Sequence, residues 1–122
     1  MQPYEANMQE LKTEYGQVAL KFATALLNGD FEEAHSFLGS TICVDWTPTL
    51  LQETYEKMVE YFYIPPTEVS VDVVDTTISN MKPDSAWVYV SIFGEGNVEA
   101  VTVIVSNEND RYLIQELEWG RP

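Results

Sequence analysis

Apolar positions recur at helical spacing through the first half of the chain and at every second residue through the second, and the change falls at Pro65-Pro66. Met8, Leu11, Tyr15, Val18, Ala19, Phe22, Ala23, Leu26 and Leu27 form one continuous stripe, with Glu10, Glu14 and Lys21 off it. This predicts a long first helix ending at Asn28-Gly29, with Gly16 as a weak or closely packed point. Asp30 then suits an N-cap, with Glu33 as the reciprocal member of a capping box. Phe31, Ala34, Phe37 and Leu38 supply the buried side of the short helix that follows, and Gly39-Ser40 closes it. Thr41 to Trp46 is β-rich and predicts a short strand. Thr47-Pro48 opens a third helix, with proline where its missing N–H costs nothing, carried by Leu51, Tyr55, Met58, Val59 and Phe62.

Beyond the two prolines, Val69, Val71 and Val73 alternate with Ser70 and Asp72. Trp87, Tyr89, Ser91 and Phe93 lie opposite Val88, Val90 and Ile92. Gly94 to Asn97 is a tight connection into a strand from Val98 to Val105, and Asn107 to Asp110 turns into Tyr112 to Trp119. Strands joined this closely predict an antiparallel meander. Both faces of its middle strands are apolar. One suits the helices; the other suits a partner or a second copy of the chain. No repeat, linker or low-complexity stretch interrupts residues 1–122, which read as a single domain.

Composition narrows the picture. At 122 residues there is room for one core, and an apolar share of 45% with seven Tyr, five Phe and three Trp excludes a disordered chain. Twenty acidic side chains against six basic ones give a net charge of -14, which repels nucleic acid and anionic membranes and suits a partner with a basic face. No run approaches the roughly 20 apolar residues of a spanning helix. The opening MQPYEANMQE has neither a positive start nor an apolar run, so a cytoplasmic location without signal peptide is expected. Cys43 is the single cysteine, which excludes an internal disulfide and a cysteine metal cluster.

The run Phe22-Ala23-Thr24-Ala25-Leu26-Leu27-Asn28-Gly29-Asp30-Phe31, followed by Ala34 and Phe37, resembles the NTF2-like (cystatin-like α+β cone) superfamily. The element order resembles it too, over nearly the whole chain. The fold class this implies is α+β, with three N-terminal helices packed against a curved antiparallel sheet around a conical cavity. Members include enzymes, small-ligand binders, transport adaptors and immunity proteins, and sheet-to-sheet dimers are frequent among them. The resemblance implies a cavity lined by Phe22, Tyr55 and Trp119, and a homodimer interface at Trp87, Tyr89 and Phe93.

Against the superfamily's ketosteroid isomerases, Asp45 falls at the carboxylate base, and a place between Val44 and Trp46 would desolvate it. The oxyanion donors do not carry over: the tyrosine position holds Phe22, and the aspartic acid position falls near Thr102. A base without such donors gives little rate. His35, the only histidine, would complete a dehydratase-like dyad only if it met Asp45. Cys43 reads as a small buried hydrophobe, and Gly94 and Gly96 flank a hairpin rather than a phosphate loop. Asp72 and Asp75, three apart on a strand, face opposite ways. No cofactor and no metal is expected. Tyr61-Phe62-Tyr63-Ile64 cannot all be buried on one helical face. The leading expectation is a non-catalytic interaction or regulatory domain, immunity-protein-like in acting on a basic partner. The alternatives are a small apolar ligand in the cone, or an enzyme with Asp45 as its base.

Overall fold

The computed structural model describes residues 13–121. Tyr4, Met8 and Leu11 lie outside them. Helix α1 spans Glu14–Leu27, α2 Phe31–Ser36 and α3 Pro48–Val59. Strands β1 (Glu68–Asp75), β2 (Ser85–Gly94), β3 (Asn97–Glu108) and β4 (Arg111–Trp119) form one antiparallel sheet in the order β1-β2-β3-β4. The class is α+β.

Local chemistry sets the helix ends. Thr13 caps α1 by accepting from the Gly16 N–H, and Thr47 caps α3 by accepting from the Leu50 N–H at 3.2 Å. Asp30 caps α2 through the Glu33 N–H at 3.1 Å. The expected box is only half formed, because the Asp30 N–H is already held by the Ala25 carbonyl at the end of α1.

The core sits between α1 and one sheet face. Phe22, Ala23 and Leu26 meet Val88, Val90, Ile92, Val101, Val103 and Val105, all buried. Helix α1 touches all four strands, whereas α2 and α3 pack on the helical side. Leu51 and Tyr55 bring α3 into the same cluster.

Two expectations change. The predicted strand at Thr41 to Trp46 is a series of turns, closed by bonds from the Cys43 N–H to the Gly39 carbonyl and from the Trp46 N–H to the Ile42 carbonyl. Sheet pairing falls earlier instead: Leu38 forms a lone parallel bridge to Ile114. With Gly39 tied to β4 and Thr47 committed to its cap, the intervening residues must fold back rather than extend. The third helix stops at Val59, not Phe62, so the aromatic run lies in the turn after it. There Phe62 is buried while Tyr63 is 93% exposed. Tyr61 donates to the Val98 carbonyl and to Glu99.

Candidate functional site

The sheet face turned away from α1 is the most organised surface of the described residues. Residues paired across an antiparallel sheet point to the same side, so the register defines its rows. One row reads Asp75, Trp87, Ile104, Glu116, and the next Val73, Tyr89, Thr102, Glu118. The third pairs Ser70, Ser91 and Ala100, and the last Glu68, Phe93 and Val98. The middle strands thus present an aromatic and aliphatic stripe, and the outer strands present carboxylates. Asp72, on the β1 bulge between Val71 and Val73, joins this face by accepting from the hydroxyls of Ser70 and Ser91. Acids flank the apolar stripe as two rails, Glu68, Asp72 and Asp75 along its length on β1 and Glu116 and Glu118 on β4 beside the Trp87 and Tyr89 rows.

Within the stripe, the Trp87 and Tyr89 rings stack at 6.1 Å. At the Trp87 end the connection from β1 to β2 walls a groove of about 430 Å³ with Ile78 and Met81, against Ile104 and Gln115. Lys82 stands at that end too. The buried hydroxyls of Ser85 and Ser106 pair with each other at 2.5 Å beneath it. Trp87, Tyr89 and Phe93, expected at an interface, all lie here and are partly exposed.

The residues considered for catalysis are elsewhere. Asp45 is exposed on the turn after α2, beside a Val44 that is 74% exposed, so the desolvating surroundings expected of it are missing. His35 is half-buried and its Nε2 lies 2.9 Å from the Cys43 carbonyl. That bond pins the turn to α2 and does not bring His35 to Asp45. Cys43 is half-buried, with its thiol against the Ser40 carbonyl. Among the described residues no group of three or more His, Cys, Asp or Glu is arranged to hold a metal ion.

The residues expected to line a cone are dispersed. Phe22 and Tyr55 are packed in the core, where burial pushes the Tyr55 phenol up to about 12. Trp119 instead leans on Trp46 at the sheet margin and lines an open groove of about 440 Å³ with Leu50, Thr54, Lys57 and Met58. Its indole N–H is buried without a hydrogen-bond partner.

A second polar cluster joins three elements. Asp84 accepts from the Tyr15 hydroxyl at 2.5 Å and from the Tyr112 hydroxyl at 2.9 Å, while the two rings meet edge to face. The two hydroxyls hold the Asp84 carboxyl below its ordinary range, and the carboxylate pushes the Tyr15 phenol up to about 12. The cluster is exposed, and Tyr112 also lines an open groove of about 420 Å³ with Val18, Lys21, Phe37 and Arg111, which Asp84 and Tyr15 do not line. It is a clasp.

The aromatics of the outer face were legible in the alternation of β2, but the rails were not. Glu68, Asp75, Glu116 and Glu118 occupy ordinary polar positions of their strands, and only the register places them beside the stripe. The sequence signal was an acid at each end of the apolar runs. Using it required knowing the bulges at Asp72 and between Ile104 and Val105. No described helix is long and apolar enough to cross a membrane. Comparison with protein-family models, curated proteins and solved structures finds no match.

Proposed function

We propose that this chain is a non-catalytic interaction domain of NTF2-like plan that binds a basic protein through the outer face of its sheet, an immunity-like role being one form of it. The observation that carries this is the apolar stripe between two rows of carboxylates. An exposed apolar patch rimmed by charge is an association surface, and a charged rim raises the encounter rate with a partner of opposite sign. The space that a cone ligand would need is taken by Phe22, Leu26, Leu51 and Tyr55, which favours binding at the surface over binding inside.

The other reading of this face is a homodimer. Both outer strands carry acids, so when two copies are laid face to face with their strands aligned, in either sense, rail meets rail. Like charges so placed cost binding energy. A basic partner turns the same rails into attraction.

The test is a purified complex with the partner recovered from the native cell, titrated from about 50 mM to about 500 mM salt, over which the Debye length shortens severalfold. The expected partner is basic, its affinity falls steeply with salt, and Trp87→Glu abolishes binding while leaving the fold intact. A salt-indifferent complex, or a dimer of this chain that Trp87→Glu dissociates, overturns the reading. So does an apolar small molecule that co-purifies with the chain and is lost on Trp119→Ala.

A further inference from the structure

Resting on that reading, we infer that the element received by the outer sheet face is a single amphipathic helix of the partner, about four turns long, with lysine or arginine on both flanks of its apolar stripe. The width of the site points to this. The rails on β1 and β4 stand three strand spacings apart, ~14 Å, and a helix with its side chains is ~10–12 Å across. One helix therefore fills the gap over β2 and β3 and leaves its flanking cations above the carboxylates.

The length agrees. Trp87 and Phe93 bound the stripe on β2; the six steps between them span ~20 Å. That length matches ~13 helical residues at 1.5 Å each. Small residues stand at the waist, where Ser91 pairs with Ala100 between the larger Tyr89 and Phe93. Ala100 is itself fully buried, so a bulky apolar side chain of the incoming helix enters instead at the groove beside Ile104.

Backbone chemistry excludes an extended segment on the same face. The face offers side chains, so a strand laid on it would leave its own N–H and C=O groups without partners. A helix arrives with those bonds already made. Strand addition at the side of the sheet is opposed separately: β1 is bulged at Asp72 and lined by acids, and the start of β4 is occupied by Leu38.

Three synthetic peptides of identical composition test the inference on the intact chain. The first places Leu and Phe on one helical stripe and Lys on both flanks over about 14 residues, with a single Pro after the last of them; the second exchanges that Pro with a central Lys; the third is scrambled. The expected result is that the first binds at least tenfold more tightly than the others, gains helicity by circular dichroism, and shifts the Trp87 and Tyr89 amide resonances. Glu68→Lys on one rail and Glu116→Lys with Glu118→Lys on the other should each weaken it severalfold, because the helix lies between them. If the proline-broken peptide binds this face equally well, with the same dependence on both rails, the helix is wrong and the basic-partner reading stands. If binding ignores the rails, or the first peptide does not bind, both are wrong.

Discussion

Asp84 has a left-handed backbone, φ 58°, and accepts two phenolic hydroxyls, so it ties α1, the connection from β1 to β2, and β4 together at one carboxylate. Its folded pKa lies below the unfolded value of about 3.9. The stability it contributes is therefore present above that value and lost as pH falls through the folded one. Asp84→Asn keeps a residue that tolerates this backbone but removes the charge. Its unfolding midpoint in urea should lie below that of the wild type at pH 7, and the gap should close as pH falls below the carboxylate range. A gap of constant size would show that the charge is not what matters. Tyr15 works in the opposite sense. Its folded pKa of about 12 exceeds the unfolded value near 10, so its share is present below about pH 10 and is lost as pH rises through 12.

At the scale of elements, the hairpin between β3 and β4 turns on Asn109 and Asp110, both with positive φ (54° and 67°). A two-residue turn of this hand favours asparagine followed by glycine. Asp110→Gly should therefore stabilise the chain by about 0.5–1 kcal/mol, read as a higher melting temperature; a lower one would mean that the loss of the Asp110 side chain outweighs the strain relieved. The same elements show what a sequence conveys. The meander was legible because alternation and turn residues are local properties, and the caps at Asp30 and Thr47 were legible for the same reason. Thr41 to Trp46 was not: its composition suits a strand, but the anchoring of Gly39 to β4 and of Thr47 to its helix leaves no extended path. Period alone put Trp87, Tyr89 and Phe93 on one face of the sheet, as the register has them. Their charged neighbours were not so placed, because register depends on two bulges that have no local signature.

For the molecule as a whole, a net charge of -14 repels itself most when folded, since folding brings the carboxylates closer. Raising salt from about 10 mM to about 500 mM shortens the screening distance from about 30 Å to a few ångström, and should raise the unfolding midpoint in urea. A midpoint that falls with salt would mean that attractive pairs outweigh the repulsion. The lateral border of β1 carries the consequence furthest. Among the described residues it pairs with nothing on its outer side, and its protection is a bulge together with Glu68, Asp72 and Asp75, the last held below the ordinary carboxylate range by the hydroxyl and N–H of Thr77. Acidification through the carboxylate range removes that protection along with the charge by which the molecules repel one another. Acidified stocks should therefore turn to sheet-rich aggregates rather than to isolated unfolded chains, and a buffer well above the carboxylate range is the condition under which this protein keeps.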